Sequence, residues 1–193
     1  MIPVVLRTAR LVLDAPREDD VDRIAEYCRD PQFERYMATP WPYRRSDALH
    51  FVLRVVPAGW GSGSEETWAI RRDGALLGMI SARTEHADVG YWVGAPHRGR
   101  GYLGEALAAV LDHRFATGQA VVHWECVIGN LASARAARRA GFRYTGEAPS
   151  AVTFRDGSHP AAWHGELGRG DGRGPKPGWP AAVEANVAGR DRE

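Results

Sequence analysis

A glycine- and arginine-rich segment is the part of this chain best suited to bind an anion. It runs from His97 to Gly104 as His-Arg-Gly-Arg-Gly-Tyr-Leu-Gly, between a strand-like run over 89–93 and an apolar-periodic helix over 103–115. The first N–H groups of a helix have no partner within it, and the helix dipole adds positive potential there. Glycines let the backbone approach a phosphate, and arginines supply charge-assisted hydrogen bonds. The segment predicts a phosphate site, although a plain basic strand–helix connection would have the same composition.

The spacing of these glycines separates the segment from two common phosphate-binding motifs. It does not match the dinucleotide fingerprint, and no Gly-Lys-Ser/Thr follows to complete a P-loop. No grouping of His, Cys and Asp has the spacing of metal ligands, so the sequence predicts no metal site. The chemistry that remains is the binding of a phosphate-bearing ligand by a different kind of turn.

Three further motifs follow the glycine-rich segment in a fixed order. They are a β-rich run over 120–128, Asn130-x-x-Ser133, and Gly141-Phe142 at the start of another strand. Together with Arg98-x-x-Gly101, this order resembles the GNAT superfamily of acyl-CoA-dependent N-acetyltransferases. The run from Gly90 to Gly94, Gly-Tyr-Trp-Val-Gly, and the serine three residues after the asparagine resemble its RimJ/RimL branch. That branch acetylates the N-terminal α-amine of ribosomal proteins, and close relatives modify antibiotics and other small amines.

The resemblance covers residues 6–167 and implies a fold class. The class is α/β, more strictly α+β, with a mixed and mostly antiparallel central sheet. We expect about six to seven strands flanked by about four helices. Residues 1–167 would form the acetyltransferase domain. Residues 168–193 are rich in Gly and Pro without an apolar period, so we expect a disordered tail with Trp179 and Val183 as weak docking points.

The resemblance assigns acetyl-CoA, the acetyl donor, to the glycine-rich turn and the strand before it. The implied cofactor contacts are Tyr91, Trp92, Val93, Arg98, Gly99, Arg100, Gly101, Tyr102, Gly104, Asn130 and Ser133. Backbone amides of the turn would hold the pyrophosphate, and the edge of the strand over 91–93 would pair with the pantetheine amides. Leu103 departs from the family pattern, which has glycine or alanine there. We expect Leu103 to point to the core, because it shares a helical face with Leu107.

Acyl transfer from a thioester needs an oxyanion donor, a neutral amine and a proton for the leaving thiolate. The resemblance implies the backbone N–H of Val93 as oxyanion donor, a contact worth about 2.7–4 kcal/mol. Many superfamily members carry a tyrosine seven residues after the asparagine, but this chain has Ala137 there. The RimJ/RimL branch implies Ser133 as the proton donor instead. Ser133 would also suit the N-cap of a short helix, and the two roles are compatible.

The need for a general base depends on the acceptor amine. An N-terminal α-amine of pKa about 7.8 is roughly 15% neutral at pH 7, whereas a lysine amine of pKa about 10.4 is about 0.04% neutral. A carboxylate acting through a water would then suffice for the α-amine. Asp88 and Glu85, which precede the central strand, and Glu66 are the candidate bases. Each of them is also explained as a solvated charge at a strand end.

The acceptor site is less well defined by the sequence. The segment from Thr39 to Tyr43, Thr-Pro-Trp-Pro-Tyr, resembles the proline-aromatic segment that lines the acceptor pocket in this branch. Trp41 and Tyr43 would accordingly form apolar walls around a peptide N-terminus, with Glu66 as a further substrate contact. Packing in the core explains the two aromatic residues equally well.

Hydrophobic periodicity predicts the helices around these residues. Apolar positions recur at helical spacing over 19–29, and Ser46 is expected to cap a second helix that Pro57 and Gly59 end. The glycine- and serine-rich run over 59–64 predicts a flexible loop that could cover the acceptor cleft.

The strand predictions include one strong hairpin. Asp73-Gly74 predicts a tight turn between strands over 67–71 and 76–84. The other predicted strands are a first one marked by Leu6, Leu11 and Leu13, the runs over 89–93 and 120–128, one at Phe142, and a last one over 161–167.

The composition of the 193 residues is that of an ordinary globular chain, with 44% hydrophobic and 25% charged residues. A formal net charge of +1 gives no reason to expect nucleic acid or an anionic membrane as a partner. No apolar run is close to the length of a membrane span, about 18 residues. The apolar stretch at the N-terminus is too short for a secretory signal. We expect Cys28 and Cys126 to be buried reduced thiols and the protein to be cytoplasmic.

Three functional hypotheses follow. The first is acetyl transfer from acetyl-CoA to the N-terminal α-amine of a protein or peptide, by direct attack in a ternary complex. The second is the same reaction on a small amine, such as an aminoglycoside or a cationic metabolite. The third is a catalytically silent acyl-CoA-binding module. The resemblance is also compatible with a homodimer, since family members often form one.

Overall fold

The computed structural model describes residues 2–185, which form one eight-stranded sheet with helices on both faces. The strands are β1 (Leu6–Arg7), β2 (Val12–Asp14), β3 (Glu65–Arg72), β4 (Ala75–Arg83), β5 (Asp88–Val93), β6 (Val121–Val127), β7 (Arg143–Pro149) and β8 (Ala161–Gly168). The α-helices are α1 (Val21–Tyr27), α2 (Pro31–Tyr36), α3 (Arg45–His50), α4 (Val56–Ser62), α5 (Tyr102–Ala116), α6 (Leu131–Arg139) and α7 (Ala181–Glu184).

The sheet has the order β1-β2-β3-β4-β5-β6-β8-β7. Every neighbouring pair is antiparallel except β5 and β6, which are parallel and meet at a single register pair, Asp88 and His123. The predicted mixed, mostly antiparallel fold is confirmed. The sheet contains more strands than expected because the first predicted strand is two short strands that pair as a hairpin, β1 with β2.

Apolar side chains fill a core on each face of this sheet. On one face, α4, α5 and α6 pack against strand residues such as Trp68 and Ile80, and Leu107 lies fully buried among them. On the other face, α1, α2 and α3 cover residues such as Met79, with Phe33 of α2 buried against them. Each such fully buried side chain contributes about 1.5–3 kcal/mol relative to leaving it exposed. The two cores hold β4 and β5 rigidly between them.

The β3–β4 hairpin forms as the sequence predicts. Asp73 and Gly74 have φ of 50° and 80°, the pair of positive values that a type I′ turn requires. Gly74 meets this requirement at no steric cost, and a Cβ added to it would contact nothing within 4 Å.

The helix before this hairpin differs from its prediction. α3 is capped by Arg44 rather than Ser46, with Asp47 accepting a hydrogen bond from the Arg44 N–H at 2.7 Å. The helical path then passes through a π-helical stretch, Phe51–Val55, and α4 continues to Ser62. Pro57 lies at the start of α4, where a missing N–H is tolerated.

The prediction of a flexible loop over 59–64 is therefore wrong, since α4 continues to Ser62. Gly59 lies in α4 because the helix packs there against the backbone of β3: a Cβ on it would stand 2.8 Å from the Glu65 carbonyl oxygen. Trp60 is buried and its Nε1 donates to the Thr67 carbonyl at 3.1 Å. These contacts outweigh the low helix propensity of glycine, so this segment cannot serve as a cover for the cleft.

The C-terminal segment also differs from its prediction over the residues that the structure describes. Trp179 and Val183 are 4% and 2% exposed and belong to the core on the α5 face. The Trp179 ring lies 5.6 Å from that of Trp124 on β6. Polar contacts add to this docking, since Arg173 pairs with Asp112 at 2.7 Å and Arg135 donates to the Ala182 carbonyl at 2.9 Å. Residues 186–193 of the predicted tail lie outside the described residues.

Candidate active site

A gap in the sheet opens where β5 and β6 separate beyond their single register pair. His123 donates its N–H to the Ala87 carbonyl at 2.8 Å, and Gly94 donates to the Leu77 carbonyl on β4 at 2.9 Å. Because successive strand residues direct their backbone groups to opposite neighbours, Tyr91 and Val93 direct theirs away from β4 and into the gap. The edge of β5 therefore offers unpaired backbone donors to a ligand that lies between the two strands.

A cleft of about 110 Å³ lies at this gap. It is lined by Gln32, Phe33, Tyr36 and Met37 of α2 and its end, by Tyr91, Trp92 and Val93, by Arg98 and Leu103, and by Asn130, Ala132 and Ser133. The structure thus brings together the predicted strand, turn and Asn-x-x-Ser motif at one place. The wall formed by α2 was not predicted from the sequence. The sequence feature that indicates the start of α2 is Asp30-Pro31, an N-cap residue followed by proline. In the structure, Asp30 Oδ1 accepts the Gln32 N–H at 2.9 Å.

The glycine-rich turn has the conformation that an anion site requires. Gly99 and Gly101 have φ of 74° and 76°, and Gly101 is the N-cap of α5. The N–H groups of the first turn of α5 have no partner within the helix. A Cβ on Gly99 or Gly104 would meet nothing within 4 Å, so both face open space. The turn therefore fits a pyrophosphate, with backbone donors and room beside them.

The structure corrects the prediction for Leu103. Its side chain is half-buried and lines the cleft, whereas the core positions of α5 start with Tyr102 and continue at Ala106. Leu103 shares a helical face with the buried Leu107, but it lies at the N-terminal end of α5, where this face meets the cleft. Leucine at this position adds an apolar surface to the cleft beside the turn.

Tyr102 contributes to the turn through its backbone alone. Its ring is 4% exposed, with the guanidinium of Arg10 at 5.0 Å from the ring centroid, and its hydroxyl accepts a hydrogen bond from Arg72. The hydrogen bond from Arg72 lowers the pKa of the Tyr102 hydroxyl. Glu105, also in the first turn of α5, accepts from Thr8 and from Arg10, so its charge is neutralised on the β1 side.

Arg98 braces the cleft in this structure. Its Nε donates to the Val93 carbonyl at 2.9 Å, and its Nη1 lies 2.7 Å from Asp30 Oδ2. Arg98 thus ties the end of β5 to the N-terminus of α2, rather than presenting a free charge to a phosphate. Arg100 is exposed on the turn and is the better placed of the two arginines as a counter-charge.

Ser133 lies on the first turn of α6, where its hydroxyl faces two strands. Asn130 is the N-cap, since its side chain accepts the Ser133 N–H at 3.2 Å, so the alternative of Ser133 as the cap is wrong. Trp124 Nε1 donates to Ser133 Oγ at 3.3 Å, and Ser133 Oγ donates to Tyr91 Oη at 3.3 Å. This hydroxyl is therefore a polar group of the cleft lining that lies beside the free edge of β5.

The three predicted carboxylates lie in different environments, none of them at the cleft. Asp88 is buried and accepts two hydrogen bonds from Arg83, its partner across the β4–β5 pair. Glu66 is buried in an ion pair with Arg114 at 2.8 Å and a contact with His113 at 3.2 Å. Both carboxylates are paired with arginines from distant or opposite positions, which the sequence motifs do not indicate. Glu66 does not line the cleft, and its role as a substrate contact stays a prediction.

Glu85 lies exposed in the β4–β5 turn, as a solvated charge. A further carboxylate, which no sequence motif predicts, is Glu125 on β6, and it lines a second cavity of about 430 Å³ together with Asp88. Glu125 accepts from Ser150 Oγ at 2.6 Å and from the Ala151 N–H at 2.9 Å, with His164 Nδ1 at 3.7 Å.

Trp41 and Tyr43 pack in the core on the α1 face. Tyr43 is 6% exposed, burial raises the pKa of its hydroxyl, and Trp41 is half-buried against the same cluster. The packing alternative therefore describes both residues. The aromatic residues that do line the cleft from this side of the fold are Phe33 and Tyr36.

The cysteines offer no ionised thiol, and the described His, Cys, Asp and Glu residues offer no metal site. Burial raises the pKa of the Cys28 and Cys126 thiols to about 12, so both are protonated at neutral pH. Over residues 2–185 no three His, Cys, Asp or Glu side chains come together as metal ligands would. In the same part of the chain, no helix is both long and apolar enough to cross a membrane.

The chain belongs to the acetyltransferase (GNAT) domain family, which it matches over residues 10–143. Among curated proteins, an N-acetyltransferase named p20 from Bacillus licheniformis is 26% identical over 119 residues. That match covers 58% of this chain and 66% of the relative, slightly less than two thirds of its length.

Solved structures share the fold at lower identity. An acetyltransferase from Salmonella typhimurium that modifies the N-terminal serine of a 50S ribosomal protein has a TM-score of 0.73 at 17% identity, covering 86% of this chain and 99% of its own. RimJ of Mycobacterium smegmatis has a TM-score of 0.74 at 19% identity, covering 86% and 88%. The microcin C7 self-immunity acetyltransferase MccE, bound to acetyl-CoA and AMP, has a TM-score of 0.72 at 20% identity, covering 83% and 93%.

Proposed function

We propose that this protein transfers the acetyl group of acetyl-CoA to the N-terminal α-amine of a protein or peptide, by direct attack in a ternary complex. The observation that carries the proposal is the gap between β5 and β6. The unpaired edge of β5 runs between the glycine-rich turn and the Ser133 hydroxyl. One extended ligand can therefore contact the turn, the strand edge and the hydroxyl. A phosphate-bearing thioester with two amides along its arm is such a ligand.

The backbone supplies most of the proposed binding. The N–H groups at the start of α5 hold the pyrophosphate, with Arg100 as counter-charge. The free edge at Tyr91 and Val93 pairs with the pantetheine amides as an added strand would. The Val93 N–H is proposed as the donor to the thioester oxygen, where a preorganised donor contributes about 2.7–4 kcal/mol. Asn130 fixes the loop by capping α6.

Ser133 and the amine itself carry the proton chemistry of the proposal. Ser133 Oγ supplies a proton to the departing sulfur, and the proton that the attacking nitrogen loses restores the hydroxyl. Asp88 accepts two hydrogen bonds from Arg83 and does not line the cleft, so the proposal does not use it as the base. We propose that the acceptor enters already neutral, which favours an α-amine over a lysine amine by more than about a hundredfold in available nucleophile.

The acceptor assignment draws on the relatives and on the wall of the cleft. The Salmonella typhimurium neighbour modifies an N-terminal serine, which is an α-amine on a protein. In the present chain, Phe33, Tyr36 and Met37 present an apolar surface beside Ser133, suited to the first side chains of a peptide. We further propose a cytoplasmic location, since both cysteines are free thiols, and a homodimer on the strength of the family.

A panel of amines tests this proposal. Two peptides of identical sequence, one with a free N-terminus and an internal lysine, the other with the N-terminus blocked, are incubated with acetyl-CoA and analysed by mass spectrometry. We expect acetylation of the first peptide only, because its α-amine is about 15% neutral at pH 7 against about 0.04% for the lysine.

The same panel includes small cationic amines such as an aminoglycoside. Acetylation of these amines alone would replace the peptide acceptor by the second hypothesis. If thiol release stays at the uncatalysed rate with every amine while acetyl-CoA still raises the melting temperature, the protein is the silent binding module of the third hypothesis.

A further inference from the structure

The Ser133 hydroxyl is held by groups from two different strands. Trp124 Nε1, on β6, donates to Ser133 Oγ at 3.3 Å, and Ser133 Oγ donates to Tyr91 Oη, on β5, at the same distance. Tyr91 Oη in turn donates to the Ser133 carbonyl at 3.1 Å. The phenol therefore contacts both the side chain and the backbone of this serine, and fixes where its hydroxyl lies.

Tyr91 reaches Ser133 because of its position on β5. Its backbone faces the gap, while its side chain extends from the face of the sheet that α6 covers. Tyr91 is therefore both part of the cleft wall and the support of the hydroxyl beside it. Burial raises the pKa of the Tyr91 hydroxyl, so at neutral pH it keeps its proton and remains a hydrogen-bond donor.

We propose that Tyr91 is a positioning residue for acyl transfer, whose hydroxyl holds Ser133 Oγ at the cleft and offsets the charge that develops on it. The inference rests on the proposed function. As the carbon–nitrogen bond forms, the carbon–sulfur bond breaks and its electron pair leaves with the sulfur. Ser133 Oγ gives its proton to the sulfur, and the proton released by the amine returns to Oγ through water. Tyr91 Oη keeps its own proton throughout and turns it from the Ser133 carbonyl to Oγ while the serine lacks its proton.

Tyr91→Phe tests the proposal, since it removes the hydroxyl and leaves the ring in place. We expect kcat to fall about tenfold, the value of one hydrogen bond, with the KM for acetyl-CoA unchanged. In the Ser133→Ala background the same substitution should change kcat by less than about twofold, because both residues act through one hydroxyl. Tyr144→Phe, which removes a phenol hydroxyl outside the cleft, is the matched control and should keep wild-type kcat.

A second readout does not depend on activity. The melting temperatures of Tyr91→Phe, Ser133→Ala and the double variant form a cycle, and the loss in the double variant should be smaller than the sum of the single losses. Additive losses would overturn the link between the two hydroxyls. Wild-type kcat in Tyr91→Phe, or an equal fall of kcat in both backgrounds, would overturn the positioning role. If the wild-type protein turned over no amine, the proposed function would be overturned. The melting cycle would still show whether the Tyr91 and Ser133 hydroxyls are coupled.

Discussion

Ser133→Ala is expected to abolish most of the acetyl transfer while leaving the binding of acetyl-CoA intact. Ser133 Oγ is the hydroxyl at the end of the gap, held by Trp124 and Tyr91, and it is proposed to supply the proton that the leaving sulfur needs. Loss of one such transition-state contact lowers kcat by about 10²–10³-fold. The backbone donors at the turn and along β5 are unaffected, so the dissociation constant of acetyl-CoA should change by less than about threefold, within about 0.7 kcal/mol.

The measurement is a steady-state thiol-release assay combined with calorimetric titration of acetyl-CoA. Ser62→Ala is the matched control, because Ser62 lies exposed at the end of α4, outside the cleft, and should keep wild-type kcat. Full activity of Ser133→Ala would remove the serine from the mechanism. Loss of acetyl-CoA binding together with activity would show a contribution to binding or folding in place of the proposed chemical role.

Gly104→Glu is expected to weaken acetyl-CoA binding without weakening the fold. A side chain at this position projects into open space, so it meets no steric barrier. A carboxylate in the first turn interacts favourably with the helix dipole by about 0.3–1 kcal/mol, and replacing a glycine within a helix gains a further amount of about 0.5–1 kcal/mol. The same carboxylate would occupy the positive end of α5 and repel the pyrophosphate. We expect affinity for acetyl-CoA to fall at least about 100-fold, or about 2.7 kcal/mol.

Two variants at the same position separate charge from size. Gly104→Gln has nearly the same volume without the charge and should lose less affinity than Gly104→Glu. Gly104→Ala should bind as the wild type does, with an equal or higher melting temperature. Titration and melting curves on the four proteins give both quantities. Wild-type affinity in Gly104→Glu would mean that the phosphates bind away from the start of α5.

The sequence was a good guide where the determinants are local. The turn from Arg98 to Gly104 could be predicted because glycines at a strand–helix connection fix its backbone whatever lies around it. The β3–β4 hairpin could be predicted for the same reason, through the type I′ turn at Asp73 and Gly74. Leu103 shows the limit of such arguments, since helical periodicity places it on the face of the buried Leu107 but does not show that this face meets the cleft at the start of α5.

Contacts between distant segments are where prediction from sequence failed. The link between Tyr91 and Ser133 joins residues 42 positions apart, and periodicity carries no information on it. The pairing of Glu66 with Arg114 likewise depends on how α5 lies across β3. The α2 helix was missed because six residues with few apolar positions give little periodic signal, yet it forms one wall of the cleft.

Some of these failures had a signal that could have been used. Asp88 and Arg83 stand opposite each other in the β4–β5 pair, and a short turn between two predicted strands would have placed them in register. Gly59 and Trp60 were assigned to a loop on composition, but a large buried aromatic residue between glycines is equally typical of a helix that packs closely against a strand. In each case tertiary packing overrode a local preference.

Amide hydrogen exchange along β5 is the most direct test of the central claim, that the gap between β5 and β6 binds acetyl-CoA as an added strand. The amides of Tyr91 and Val93 face the gap, whereas the Trp92 amide faces β4 and serves as an internal control. We expect acetyl-CoA to slow exchange at Tyr91 and Val93 by at least about tenfold, with a much smaller change at Trp92. Unchanged rates at Tyr91 and Val93 under saturating acetyl-CoA would contradict the account.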